Sequence, residues 1–217
     1  VWNSSNLFWN PLSDGTGTAA AWNAGDIAAF GAGLNALGSY SINVAGTQLV
    51  GGLVFEEGRV TLTGGTLQLS ATSAFDVAAG LTATVNSLVS GAFDLSKTGA
   101  GTLTLAGTNT YSGNTTLSGG MLRMSHDRNL GGAAGSLSLS GGTLQTAGTY
   151  VGRSVSAASA STIDVPRNAI TTFGSAITGT SGLTKTGNGE LRLNASNPAF
   201  TGTFAANGGI TRLRSTS

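Results

Sequence analysis

Acidic side chains are the residues of this sequence whose spacing comes closest to a catalytic arrangement. Two carboxylates about 5 to 9.5 Å apart can hydrolyse a glycosidic bond, and clustered acids can bind calcium. Neighbouring residues of a strand point to opposite faces, so Glu56 and Glu57 do not form such a pair. The other pairs need segments that stack on each other: Asp76 with Asp94, and Asp164 with Glu190. A polysaccharide-degrading enzyme is therefore the least favoured of three functions considered below.

The single histidine, His126, lies between Ser125 and Asp127. Three consecutive loop residues cannot converge as nucleophile, base and orienting acid. The chain has no cysteine, which excludes disulfides and thiolate metal sites. One histidine supplies too few ligands for a transition-metal site, and the calcium-binding nonapeptide GGxGxDxUx does not occur. We therefore predict no catalytic residue, no metal site and no cofactor, and hence no enzyme.

A long internal repeat organises the chain. The stretch from Leu95 to Arg123 returns at residues 183–212, and a shorter unit at 62–69 returns at 139–146. Units that consist of a strand, a glycine turn and a second strand stack on one another to form solenoids. The repeat motif consists of Lys97, Gly99, Gly101, Leu103 and Leu105 in the first copy and Lys185, Gly187, Gly189, Leu191 and Leu193 in the second.

Apolar and polar residues alternate through these units, as Leu103 and Leu105 do with Thr102 and Thr104. This period of two predicts strands with one buried face. The chain has 35 glycines among 217 residues, and each costs about 1 kcal/mol inside a helix. An antiparallel sandwich is the main alternative, but near-identical units favour parallel coils stacked like on like. We predict a single all-β domain over residues 1–217, with stacked coils at 36–217.

The opening segment, residues 1–35, differs from the rest because it is rich in aromatic residues. It contains Trp2, Trp9, Trp22 and Phe30, including all three tryptophans of the chain. Bulky aromatic side chains can plug the apolar interior that the first coil of a solenoid exposes. We interpret this segment as an N-terminal cap, with a platform that stacks on carbohydrate as the alternative.

Charge is sparse and unevenly distributed. Only 9% of the residues are charged, against about 25% in an average protein. Residues 1–94 hold six acidic residues and one arginine, whereas 95–217 hold nine basic and three acidic residues. This asymmetry can steer head-to-tail association but is too weak to indicate nucleic acid binding. The sequence shows no secretory signal and no apolar run of about 18 residues, so we expect no membrane insertion by this segment.

The motif K-T-G-x-G-x-L-x-L, followed by NTYSG in one copy and NPAFTG in the other, resembles the autotransporter-associated β-strand repeat, also described as the passenger-associated transport repeat. The opening pattern of Trp9 followed by WNAGDIAAF resembles it as well. The resemblance implies a right-handed parallel β-helix in a bacterial surface or secreted protein, passed through an outer-membrane barrel. An extracellular or cell-surface location follows from it, although neither signal nor anchor is found in this sequence.

Our leading expectation is a non-enzymatic structural or adhesive module. It would self-associate end to end into a filament, or be continued by further β-helix of the parent chain, because an uncapped parallel edge is a template for another strand. The alternative is a module that recognises a glycan or host surface through its outward threonine and asparagine rows and its opening aromatic residues.

Overall fold

Short strands form wherever apolar residues alternate with polar ones. The computed structural model describes residues 1–3, 5, 9, 18–31, 38–150 and 152–214. The first eleven strands are β1 Ile27–Phe30, β2 Ser39–Asn43, β3 Thr47–Phe55, β4 Arg59–Thr63, β5 Thr66–Val77, β6 Thr82–Val85, β7 Leu88–Ser90, β8 Leu95–Thr98, β9 Thr102–Leu105, β10 Thr115–Leu117 and β11 Met121–Met124. A short 3-10 helix, Asp127–Leu130, follows.

The second half of the chain continues the same pattern. Its strands are β12 Leu137–Leu139, β13 Thr143–Thr146, β14 Thr149–Tyr150, β15 Val155–Ala157, β16 Ser161–Asp164, β17 Ile170–Phe173, β18 Ile177–Thr178, β19 Leu183–Thr186, β20 Glu190–Leu193, β21 Phe204–Ala206 and β22 Ile210–Leu213.

The strands pair in parallel into three sheets, each forming one face of a β-solenoid. The first sheet has the order β1-β3-β5-β8-β10-β12-β15-β18, with β7 also paired to β5. The second has the order β2-β4-β6-β9-β11-β13-β16-β19-β21, and the third β14-β17-β20-β22. Nine rungs on the second face correspond to about nine turns. The predicted parallel β-helix is confirmed, and the antiparallel sandwich is excluded.

Register places apolar side chains in columns along the interior. On the second face Val60, Ala83, Leu103, Leu122 and Leu144 lie in one column, and each is buried. Apart from Met121 beside Leu122, the outward neighbours of these residues are polar, so each strand buries one face and solvates the other. The core is therefore a continuous axial stack rather than a central cluster.

The N-terminal end carries the predicted aromatic cluster. Ring centroids of Trp2, Trp9 and Trp22 lie 4.7 to 5.0 Å apart, and Trp2 pairs in parallel with Val44. Phe30 lies 5.9 Å from Trp2 and links the cluster to the core. The assignment of residues 1–35 as a cap stays a prediction, because positions 4, 6–8, 10–17 and 32–37 lie outside the described residues.

The two copies of the long repeat occupy different corners of the solenoid. The first copy places Lys97 on β8 of the first sheet and Leu103 on β9 of the second. The second copy places Lys185 on β19 of the second sheet and Leu191 on β20 of the third. The repeat has therefore advanced by four rungs and one face. The geometry of the repeat therefore depends on the repeat sequence and on the adjacent coils, and not on the corner of the solenoid at which the repeat lies.

The columns predict how inward and outward substitutions differ. Leu103→Ala should lower the free energy of unfolding by about 2 to 5 kcal/mol, because it leaves a cavity in a stack that cannot collapse on one rung alone. Thr104→Ala, at the adjacent outward position, should change it by less than about 0.5 kcal/mol. Urea unfolding followed by far-ultraviolet circular dichroism measures both. Equal effects would contradict the inward assignment of Leu103.

Candidate functional site

The lysine of each repeat copy lies inside the solenoid. Lys97 stands in the interior column between Phe75 and Leu117, and Lys185 follows Ile163 in a column of the second face. Both lysines are fully buried. A buried ammonium is stable only if its donors are satisfied, so the surrounding groups must supply acceptors.

Backbone carbonyls of the glycine turns supply those acceptors. Lys97 Nζ donates to the carbonyls of Thr98, of Gly99 at 2.9 Å and of Gly119 in the next coil at 3.3 Å. We call this arrangement the first lysine turn: residues 97–101 together with Asp76 and Gly119. The amine thereby ties the turn of one coil to the turn of the coil above it.

The second copy repeats this arrangement at another corner. Lys185 Nζ donates to the carbonyls of Gly187 at 2.6 Å, Gly189 at 2.7 Å and Gly208 in the next coil at 2.7 Å. Residues 185–189, Asp164 and Gly208 form the second lysine turn. Gly187 and Gly208 correspond in the repeat to Gly99 and Gly119. Two of the three acceptors are thus equivalent in the two copies, whereas the third is Thr98 in the first copy and Gly189 in the second.

An aspartate from the preceding coil accompanies each lysine. Asp76 accepts a hydrogen bond from Thr98 Oγ1 at 2.7 Å, and Asp164 accepts one from Thr186 Oγ1 at 3.1 Å. Burial lowers the pKa of Lys97 to about 8, and the negative charge of Asp76 opposes this shift. Burial lowers the pKa of Lys185 as well, again opposed by its aspartate. Each lysine turn therefore links three successive coils.

Glycine is required where each lysine turn crosses the coil below. Gly99 has φ +71° and Gly187 has φ +73°, a left-handed conformation that side chains rarely tolerate. A β-carbon at either position would also overlap a backbone carbonyl, that of Val77 or that of Val165. The glycines of the predicted motif therefore permit close stacking of the turns.

An asparagine of each copy also holds the coil below. Asn109 accepts a hydrogen bond from the Val89 amide through its Oδ1 at 2.8 Å, and Asn197 accepts one from the Ile177 amide at 2.6 Å. These bonds satisfy backbone donors at a position where the chain leaves the sheet. The asparagine that follows the K-T-G motif is therefore part of the structural unit.

The four carboxylates that could pair across coils are engaged by structural partners. Asp94 accepts a hydrogen bond from the Asn114 amide at 2.6 Å, whereas Asp76 belongs to the first lysine turn. Glu190, on the third sheet, contacts Arg192 at 2.7 Å and Arg212 at 2.5 Å, whereas Asp164 lies on the second sheet. Each acid of the two proposed pairs therefore has a structural partner of its own.

The segment around His126 is likewise structural. Asp127 forms an ion pair with Arg153 Nε at 2.6 Å, while the ring of His126 contacts Ser125 Oγ at 2.8 Å. Arg153 is fully buried and also donates to the carbonyls of Gly135 at 2.6 Å and Gly132 at 3.1 Å. Arg153 thereby fastens the excursion between β11 and β12 to the stack.

Within the described ranges, three or more histidine, aspartate or glutamate side chains do not gather where they could hold a metal ion. The same residues include no helix that is both long and apolar enough to cross a membrane.

Several residues of the site were not among the predicted motif positions. The sequence indicates Asp76 and Asp164 only as possible catalytic acids, and no motif in it points to Arg153. Asp76 precedes Thr98 by 22 residues, and Asp164 precedes Thr186 by the same interval. That equal spacing is the sequence feature that could have identified the aspartates as part of the repeat.

The first lysine turn predicts a stability effect. Lys97→Met keeps much of the side-chain volume but removes the donor, so the carbonyls of Gly99 and Gly119 lose a partner. The free energy of unfolding should fall by about 1 to 3 kcal/mol, the cost of leaving buried polar groups unsatisfied. Arg123→Met, at an exposed position on β11, is the matched control and should change it by less than about 0.5 kcal/mol. A Lys97→Met protein as stable as the parent would contradict this account.

The lowered lysine pKa predicts a pH dependence. Between about pH 8 and the ordinary lysine value of about 10.4, the unfolded chain keeps a proton that folded Lys97 has lost. Stability therefore rises with pH across this window. Burial raises the pKa of Tyr111 and Tyr150 to about 12, which reverses the trend above about pH 10.

Urea unfolding at pH 7.5 and 9.5 measures this dependence. The gain in stability between these values should be smaller in Lys97→Met than in the parent chain. Equal gains in both proteins would show that Lys97 does not titrate in this range.

Comparison with known proteins gives two findings. The passenger-associated-transport-repeat family matches residues 95–124 and 183–213, which contain both repeat lysines and the strands that follow them. The chain is also 38% identical over 162 residues to the adhesin BmaC autotransporter of Brucella suis biovar 1 (strain 1330). That match covers 71% of this chain and 4% of the relative. No solved structure matches the chain. The chain therefore carries two passenger-associated transport repeats within a parallel β-solenoid, and over most of its length it is similar to a short part of an autotransporter adhesin.

Proposed function

We propose that this chain is a non-enzymatic structural and adhesive module of a surface-exposed or secreted autotransporter passenger. The observation that carries the proposal is the use of the acidic side chains: Asp76 and Asp164 hold threonines of the lysine turns, and Asp127 holds Arg153. Carboxylates with such partners maintain the stack. The autotransporter adhesin among the relatives supports the location and the adhesive role.

Regular hydroxyl rows on the outside support an adhesive surface. On the second face, Thr82 pairs with Thr102 and Thr84 with Thr104, so four outward threonines form a flat array. Parallel strands repeat such side chains about every 4.8 Å along the axis. A periodic row of hydroxyls can hydrogen-bond a periodic polymer at several points. Recognition of a glycan through this array is therefore our second candidate function.

The C-terminal end supports continuation of the rod. Leu213 occupies an inward position above Leu193 yet is 71% exposed. An uncovered interior position at the end of a parallel stack favours pairing with another coil. We propose that the module is extended axially, while its lateral faces remain available for contact.

A glycan array and a reducing-sugar assay test these functions together. We expect no release of reducing sugars from any polysaccharide in the panel. Release that disappears in Asp76→Asn, while the variant stays folded, would overturn the non-enzymatic proposal.

The glycan array also distinguishes a purely structural role from glycan recognition. If the threonine array binds glycan, a Thr102→Lys, Thr104→Lys double variant should lose most of the bound signal. A Ser138→Lys, Ser156→Lys double variant changes outward hydroxyls of the first face and is the matched control. Equal loss in both variants would indicate a nonspecific charge effect, and absence of binding in the parent chain would leave the structural role alone.

A further inference from the structure

Three outward arginines lie together on one lateral face of the solenoid. The chain has ten basic residues, three of which are buried in the interior. Among the others, Arg192 lies on β20 and Arg212 on β22 of the third sheet. Arg214 is exposed and follows β22, where its amide donates to the Leu193 carbonyl at 2.9 Å. A chain with little charge therefore places three guanidinium groups on adjacent coils of one face.

Parallel register brings these side chains next to each other on the outside. Arg192 pairs with Thr172 on one side and with Arg212 on the other, so the two arginines start from strand positions about 4.8 Å apart. Arg214 lies two residues beyond Arg212 on the same side of the strand, about 6.6 Å away. Arg192 has a coil on each side of it and still exposes 39% of its side chain. Its exposure therefore comes from its outward direction and not from a position at the end of the stack.

One carboxylate orients two of the arginines. Glu190 Oε1 accepts hydrogen bonds from Arg192 Nε at 2.7 Å and from Arg212 Nε at 2.5 Å. Both contacts use Nε, and the Nη atoms of the two arginines make no hydrogen bond to the described residues. The strands of the third sheet contain no other acidic residue over their described ranges. We call Glu190, Arg192, Arg212 and Arg214 the third-face arginine cluster, which combines three positive charges with one negative charge.

Stacking of the coils does not require this cluster. Ion pairs between side chains that reach solvent contribute little to stability. The first copy of the repeat stacks with the same parallel pairing, although its outward residues are different. Its outward positions hold Thr102, Thr104, Met121 and Arg123, where the second copy holds Glu190, Arg192, Ile210 and Arg212. The two copies thus share their inward leucines and differ at the surface, which indicates that the charges serve a contact outside the solenoid.

The chemistry of the cluster favours an anionic partner with apolar surface. A guanidinium group presents parallel N–H donors that match two oxygens of a carboxylate or of a similar oxyanion. Ile170 and Ile210 lie on either side of Glu190 in the neighbouring outward column, and they are 46% and 49% exposed. A sugar ring that carries a carboxylate or sulfate group offers both anionic oxygens and apolar C–H surface. The cluster and the two isoleucines therefore complement an acidic glycan.

Two other kinds of polyanion fit this face less well. Single-stranded nucleic acids bind through aromatic rings on which their bases stack, but the aromatic residues of the described third sheet, Tyr150 and Phe173, are buried. An acidic peptide that adds a strand needs unpaired backbone groups at a sheet edge, whereas β20 is paired on both sides. The face around Arg192 offers side chains alone, which is sufficient for a glycan.

We propose that the third-face arginine cluster binds an acidic polysaccharide through the carboxylate or sulfate groups of the polymer. Arg192 and Arg212 donate their Nη hydrogens to these groups, while Glu190 holds their Nε atoms in place. Arg214 adds a third cation on the same face. The inference rests on the adhesive role in the proposed function, but it assigns a different lateral face from the threonine array and a charged class of ligand.

Isothermal titration calorimetry with defined polymers tests the proposal. The probes are polygalacturonate, dextran sulfate and, as the neutral polymer with the same backbone, dextran. The parent chain should bind at least one acidic polymer, more weakly as salt is added, and should not bind dextran at this site. An Arg192→Gln, Arg212→Gln double variant should bind about tenfold more weakly or less, because it loses charge-assisted hydrogen bonds. Arg123→Gln is the matched control, because Arg123 corresponds to Arg212 in the first copy, and its affinity should stay within about twofold of the parent's. Circular dichroism verifies that each variant is folded.

A pair of glutamate variants separates a local contact from an effect of net charge. Glu190→Gln keeps an oxygen that can accept from both Nε atoms but removes the negative charge that competes with the ligand, so it should bind the acidic polymer several-fold more tightly. Glu56→Gln changes the net charge equally at an exposed position before β4 and should leave the affinity unchanged.

Four results would overturn the proposal. They are absence of binding to both acidic polymers, equal affinities of the double arginine variant and Arg123→Gln, equal effects of the two glutamate variants, and equally tight binding of polyglutamate, which would show that charge alone is selected. The threonine array is tested separately with neutral glycans, and sugar release tests the non-enzymatic role. Failure of either part of the proposed function is therefore distinguishable from failure of this inference.

Discussion

Each coil of this molecule depends on its neighbours, because its strands hydrogen-bond only to adjacent coils and a single coil cannot bury its inward side chains alone. Parallel register is the constraint that makes this possible, since it places every inward side chain above another. Leu103, Leu122 and Leu144 satisfy the constraint with like residues. Any polar group that enters the interior must find its partners within the stack, and Lys97 meets this condition through the turn carbonyls of Gly99 and Gly119.

The lysine turns explain why a buried charge is retained in a fold built mostly from apolar stacking. The ammonium of Lys185 contacts carbonyls of its own turn and of the next, so it fixes the position of one coil on another. Apolar side chains of similar volume would fill the space, but they would not favour one alignment of neighbouring coils over another. Buried polar groups have this specifying role in other stacked assemblies. Both copies of the repeat make these contacts, although they lie at different corners. We therefore interpret the buried lysine as a residue that fixes the alignment of adjacent coils.

The alternation and repeat spacing predicted the strands, the parallel stacking and the inward leucines, because those features depend on local period and on self-similarity. The inward position of Lys97 could also be read from its parity with Leu95. Its contact with Gly119 could not, since coils vary in length: Val60 and Ala83 are 23 residues apart in one column, whereas Leu103 and Leu122 are 19 apart. Because of the same variation in coil length, the second copy lies on another face. No local sequence pattern predicts that position.

The distribution of contacts along the axis is compatible with the proposed adhesive role. A stack in which each coil contacts only adjacent coils has a stability that grows by nearest-neighbour terms, and its ends are its weakest parts. Covering the ends therefore stabilises the rod without using the lateral faces, where the threonine array lies. On that face the outward threonines are followed by Arg123 and Gln145 in the next two rungs. The fold thus separates the surfaces that continue the rod from the surfaces that can contact a partner, and the number of coils can change without altering either.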